Sequence, residues 1–261
     1  MSRALLSKVD SAHEWRHAGR VTGTPRQRAR EQTLADITRI GRAHLERDGA
    51  AALSLRAVAR DLGVVSSAVY RYVASRDDLL TLLVVECFTE LGDAVDAAVA
   101  AVDPDDDVGR FRALGHAVRD WALREPAGYT LLFGSPVPGY HAPADRTTGP
   151  GTRVVVALVG IAETAHRAGR LRVTPAEPVP AGLHHDAARI RSELDVTLPD
   201  EVLTRGVLIW ASLFGAVGFE VFGQYGVDTF TDPRALFDHH LTVLAATFGL
   251  SQGHVPATSV Q

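Results

Sequence analysis

The sequence predicts an all-α protein: an N-terminal three-helix helix-turn-helix domain followed by a larger C-terminal helical domain. Three observations predict it. Apolar residues recur at i, i+3, i+4 and i+7 in segment after segment, the spacing that places them on one face of a helix. No stretch alternates apolar and polar residues as a half-buried strand requires. Two short helical patterns, 54–62 and 66–73, are separated only by Gly63, Val64 and Val65, which leaves room for a tight turn and nothing else. With 261 residues and 46% hydrophobic content, the chain can bury a core in one large domain or two modest ones.

Residues 1–30 lack apolar periodicity, hold Gly19, Gly23 and Pro25, and carry arginines at 16, 20, 26, 28 and 30; a flexible basic arm is expected there. Leu34, Ile37, Gly41, His44 and Leu45 follow helical spacing from Gln27 to Asp48, and Gly49 stands where a helix C-terminus is commonly capped. Ser54 can cap a second helix whose Leu55, Val58, Ala59 and Leu62 form one buried stripe, with Leu53 and Val58 as a hydrophobic staple. Gly63 and Val64 end it, and Ser66 is assigned as the cap of a third, short helix to about Val73. Ser75, with Asp77 and Asp78 in the first turn, opens a fourth helix running to about Val102.

Asp103, Pro104 and the acids at 105–107 restart the chain. A fifth helix with Phe111, Leu114, Val118 and Trp121 stops before Pro126, and a short sixth holds Tyr129, Leu132 and Phe133. The Pro- and Gly-rich stretch 134–150 reads as a loop of a length that is uncommon unless functional. A seventh helix is expected from about Thr152 to Ala168, then a second proline-rich connection over 174–181 and a polar helix over 182–194. Two long apolar helices, about Pro199 to Phe222 and Asp232 to Phe248, close the chain. The expected division is a basic flexible arm (1–30), the helix-turn-helix domain (31–80), a helical domain (81–250) and a disordered tail (251–261).

The net charge of −4 conceals an asymmetry: through Leu80 there are 14 Lys and Arg against 9 Asp and Glu, or +5, and the remainder carries −9. A basic head on an acidic body suits polyanion binding, because phosphate contacts supply much of nucleic-acid affinity. The one cysteine, Cys87, lies in an apolar run, so no internal disulfide can form and a thiolate metal cage is not expected. Met1 to Lys8 is followed by Asp10, Glu14 and arginines rather than an apolar core, and no stretch reaches the roughly 18 uncharged apolar residues of a membrane span. A cytoplasmic protein without membrane contact is expected. There is no G-x-S-x-G, H-E-x-x-H, P-loop or G-x-G-x-x-G after a strand, so neither an enzyme nor a cofactor is expected.

In the third helix, turning Val69 and Val73 inward points Ser67, Tyr70 and Arg71 outward. Small hydroxyls allow close approach to base edges in a DNA major groove, and tyrosine and arginine reach phosphates or guanine. Arg76 can join the free N–H groups opening helix four in holding a phosphate. The stretch 49–80, GAAALSLRAVARDLGVVSSAVYRYVASRDDLL, resembles the TetR/AcrR regulators. The matching features are Gly49, Val58-Ala59, Leu62-Gly63-Val64, Val69-Tyr70-Arg71-Tyr72 and Ser75 through Leu80. Three positions depart from the pattern: Val65 where that family usually has serine, Val73 for phenylalanine and Arg76 for lysine. Downstream, Glu125-Pro126, the 131–136 segment LLFGSP, Trp210, Gly215, Glu220 and Phe222-Gly223 resemble a subgroup with a tryptophan- and glycine-patterned C-terminal domain.

The resemblance implies a homodimer that sets two recognition helices in successive major grooves of a near-palindromic double-stranded DNA operator, and is released by a small organic effector as a repressor would be. Ser54, Ser67, Tyr70, Tyr72 and Arg76 match positions that contact DNA in that family; Ser66 and Arg71 complete the expected interface. Trp121, Tyr129, Phe133, Tyr140, Trp210 and Phe219 are candidates to line an effector pocket, although aromatics at helical spacing more often pack in a core. His184-His185 and His239-His240 diverge by about 100° on a helix and suit solvent better than a metal. Gly206, Gly215 and Gly218 allow close helix approach, which points to the last two helices as the dimer interface. A DNA-binding protein without ligand control and an all-helical enzyme are the alternatives.

Overall fold

The computed structural model describes residues 24–172 and 178–250. Most of the expected basic arm, half of the 174–181 connection and the 251–261 tail lie outside the described residues. Among the described residues there are ten α-helices and no strand: α1 Pro25–Asp48, α2 Leu55–Asp61, α3 Ser66–Tyr70, α4 Arg76–Ala100, α5 Asp107–Arg124, α6 Pro126–Phe133, α7 Ala144–Arg167, α8 Ala181–Leu194, α9 Asp200–Val221 and α10 Pro233–Phe248. Residues group into two compact units, the first spanning 24–90 with 122–152, the second 91–121 with the described residues from 153 on.

In the first unit, α1 begins at Pro25, within the stretch expected to be an arm. Thr24 Oγ1 accepts from the Gln27 N–H while the Gln27 side chain accepts from the Thr24 N–H, a capping box with proline at the first helical position. Arg26, Arg28 and Arg30 therefore stand on a helix. The turn between α2 and α3 is a Schellman motif: Val64 N–H donates to Ala59 O (3.0 Å) and Gly63 N–H to Arg60 O (3.0 Å), with Gly63 at φ 73° where a side chain would be strained. One core of Ile37, Ile40, Leu53, Leu55, Val58, Ala59, Val69, Val73, Leu79, Leu80 and Leu83 holds α1–α4 together. His44, buried, meets Asp61 at the end of α2 at 2.6 Å, and Arg42 forks onto both carboxylate oxygens of Glu90 at 2.7 Å, fixing α1 to α2 and to α4.

The 134–150 stretch is loop only to 143, because α7 starts at Ala144 and carries Pro150 inside it. A proline costs an interior helix about 3 kcal/mol and a glycine about 1, hence the loop expectation. Here the hydroxyls of Thr147 and Thr152 bond back to Pro143 O and Thr148 O (both 2.9 Å), and the following Val154, Leu158 and Ile161 are buried.

In the second unit α9 packs against α8 and α10. Val202, Gly206, Ile209, Leu213 and Val217 form its buried stripe, and Gly206 lets the Phe248 ring approach to 3.6 Å of where a Cβ would stand. Arg119 on α5, itself buried, pairs with Glu220 and lies 5.7 Å from the Phe237 ring centre. The Glu163 carboxylate takes the Thr197 N–H (2.9 Å), the Thr197 hydroxyl (2.8 Å) and Arg167 (2.5 Å). Among the described helices α9 is the one long and apolar enough to cross a membrane, although Arg205 and Glu220 keep its uncharged run shorter than 18 residues; its apolar residues are divided between the buried stripe and an exposed face.

Candidate nucleic-acid interface

The exposed side of the helix-turn-helix is set by its buried side. Val69 and Val73 are each 1% exposed, and this leaves Ser67, Tyr70 and Arg71 facing solvent, as the helical spacing requires. The N-cap of α3 is Val65, and Ser66 is its first helical residue, which corrects the assignment of Ser66 as cap. Valine has no oxygen to offer, so α3 starts without a side-chain cap, and Val65 stands 71% exposed at its tip. The helix is correspondingly short, ending at Tyr70 rather than near Val73; Arg71 and Tyr72 lie in the turn that follows.

Ser54 occupies the N-cap position of α2 in extended conformation but makes no capping hydrogen bond. Its hydroxyl remains half-buried in a cleft of about 310 Å³ lined by Leu53, Ser54, Leu55, Arg56, Tyr70 and Arg76. Arg76 is not aimed wholly outward. It donates to Ala50 O (2.9 Å) and Ala51 O (3.3 Å) and pairs with Asp77 (3.5 Å), so it ties the turn before α2 to the start of α4. Ser75 Oγ accepts from the Asp78 N–H at 3.0 Å, the cap that the sequence suggests.

A second cleft, of about 390 Å³, is lined by Arg26, Ala29, Arg30, Arg71 and Tyr72. Tyr72 is half-buried and its ring centre lies 5.6 Å from the Arg30 guanidinium carbon, within cation–π range. Arg26 and Arg30 are functional candidates that the sequence reading does not name among the DNA contacts, Arg26 being left in the arm one residue ahead of the helix expected from Gln27. The Thr24-Pro25-x-Gln27 pattern was the signal that would have put Arg26 on that helix.

The six aromatic candidates are divided between the two units. In the first unit Tyr129 and Phe133 meet at 5.1 Å between ring centres, and burial pushes the Tyr129 phenol up to about 12; Tyr140 packs on the helix-turn-helix core and its hydroxyl bonds Thr81 at 3.0 Å. In the second unit Trp121 is buried with its indole N–H unpartnered, whereas Trp210 and Phe219 are 39% and 50% exposed. Among the described residues no group of three or more His, Cys, Asp or Glu is placed to hold a metal ion; His184 instead meets Asp200 at 2.6 Å.

Residues 111–244 match the family model described as "Tetracyclin repressor-like, C-terminal domain". Over 221 residues the chain is 49% identical to the HTH-type transcriptional regulator Rv1816 of Mycobacterium tuberculosis (strain ATCC 25618 / H37Rv), covering 85% of this chain and 94% of that protein. The same figures hold for the HTH-type transcriptional regulator Mb1846 of Mycobacterium bovis. Among solved structures, the regulatory protein SCO4313 aligns over 85% of this chain and all of its own, with a TM-score of 0.68 and 32% identity.

Proposed function

The chain belongs to the TetR family of transcriptional regulators, and from that premise we propose that it is a dimeric, ligand-responsive repressor acting in the cytoplasm. The proposed division of labour follows the sequence: 31–80 reads DNA, 81–250 senses an effector and dimerises. Ser66, Ser67 and Tyr70 would enter the major groove of a near-palindromic operator, while Ser54, Arg71, Tyr72 and Arg76 would hold the backbone. The observation that carries this reading is the buried Val69 and Val73 behind an outward row of Ser67, Tyr70 and Arg71. Dimerisation is supported by α9, whose Val207, Leu208, Trp210 and Phe219 are exposed. Gly215 on the same helix has open space beyond it; Gly206 and Gly218 face the subunit's own core. A small organic effector would act by binding the DNA-competent and DNA-incompetent dimers with different affinity.

Fluorescence anisotropy against duplexes selected from a random DNA pool, with scrambled duplexes as control, tests the reading. Wild-type protein should prefer the selected sequence, and a Tyr70→Ala/Arg71→Ala variant should lose at least tenfold in affinity for it. Equal affinity of wild type for both duplexes would end the case for a sequence reader.

A further inference from the structure

Arg26 and Arg30 lie outside the interface that the helix-turn-helix residues define, yet with Arg71 and Tyr72 they border a cleft that has the chemistry of an anion seat. Arg26 and Arg30 are one helical turn apart on α1, and Arg71 comes from the turn after α3. All three are exposed. Elsewhere in the same unit Arg39, Arg42, Arg60, Arg76 and Arg146 each hold a carboxylate. Arg26, Arg30 and Arg71 have no carboxylate within ion-pair reach among the described residues, so three like charges border one concavity uncompensated. Such a focus of positive potential attracts an anion, and planar guanidinium groups match phosphate oxygens bidentately. Tyr72 lies against Arg30 and limits its wandering.

The cleft's position names the anion. Tyr70 lines the Ser54 cleft and Arg71, the next residue, lines this one, so both sit beside the recognition segment. A helix seated in a major groove has a phosphate backbone along each edge of that groove. We propose that Arg26 and Arg30, together with Arg71, bind a backbone phosphate of the DNA duplex, which makes the start of α1 part of the DNA-binding surface. The inference rests on the DNA-binding reading of the family and extends it to residues outside the helix-turn-helix.

The test uses the full-length chain with Arg26→Gln/Arg30→Gln, an Arg26→Lys/Arg30→Lys companion, and anisotropy on selected and scrambled duplexes across a salt series. A phosphate contact carries no sequence information, and each one contributes about 0.9 to the slope of log K against log salt. The glutamine variant should therefore lose affinity for both duplexes by the same factor, with the slope shallower by one to two such increments, while the lysine variant keeps most of the slope. An unchanged slope in the glutamine variant overturns the proposal. So does a loss confined to the selected duplex, which would mean base contact. Absence of sequence preference in the wild type would sink the regulator reading alone, since the slope change would still report the phosphate seat. Both arginines are exposed, and an unchanged circular dichroism melt confirms that the variants fold.

Discussion

Gly249 illustrates how one residue can carry a junction. It follows α10 at φ 89°, its N–H donates to Ala246 O and the next N–H to Ala245 O, and its carbonyl accepts from the Arg172 N–H at 2.8 Å. A Cβ here would stand 2.5 Å from the Arg172 carbonyl oxygen, against backbone that cannot swing aside. Gly249→Ala combines a left-handed conformation with that clash, and should cost on the order of 1–3 kcal/mol, read as a lower urea midpoint with unchanged slope. Gly215→Ala, with open space around it, should raise the isolated subunit's stability by about 0.5–1 kcal/mol, the cost of a glycine inside a helix. At this scale the sequence was partly legible. Glycines in a helical pattern mark close approach, but only tertiary packing separates Gly206, against Phe248, from Gly215, facing solvent. Arg76 likewise is a plausible phosphate ligand by position, and its bonds to Ala50 and Ala51 arise from tertiary proximity that no local pattern encodes.

Helices were legible where apolar period and caps agreed, and misjudged where punctuation residues outweighed them. The stripes of α2, α4, α9 and α10 stand as their spacing implies because burial favours one face. The start of α7 was hidden by Gly149, Pro150 and Gly151, whose individual costs the buried Val154, Leu158 and Ile161 further on offset. The α1 start falls two residues ahead of the expected Gln27, because Pro25 and Arg26 read as solvated chain although Thr24 and Gln27 form a capping box around them. For α9, the period identifies two apolar faces but cannot say which is covered; the structure leaves Leu208, Ala211, Gly215 and Phe219 bare on one face. If that face joins two subunits, Leu208→Glu/Phe219→Glu should convert the dimer to monomer in sedimentation velocity and weaken operator binding together with it. A variant that remains dimeric would move the interface elsewhere.

Across the whole molecule, charge pairs set the response to acid. Asp61 is held below the ordinary carboxylate range by its hydrogen bond from His44, Asp238 by His116, and Asp200 by His184 and Arg191. Burial pushes Glu163 up, but Thr197 and Arg167 outweigh it and hold the carboxyl low. Each of these groups binds its proton less readily in the folded chain than in the unfolded one. The stability they contribute is complete above the ordinary carboxylate range near pH 4 and is lost as pH falls through it and below. Glu86, pushed up by burial, acts in the opposite sense. The denaturant midpoint should therefore hold steady from about pH 7 to pH 5 and drop below about pH 4, and a midpoint that rises on acidification would contradict the pairings. One further feature bears on how such changes can be watched. Cys87 is the only cysteine, fully enclosed, with its thiol pushed up by burial against the opposing hydrogen bond from Arg42. Thiol reagents reach it only when the surrounding helices part, so alkylation becomes a clock for opening. Any compound that binds the closed chain slows that clock, which allows effectors to be sought one sulfur atom at a time, without knowing the operator.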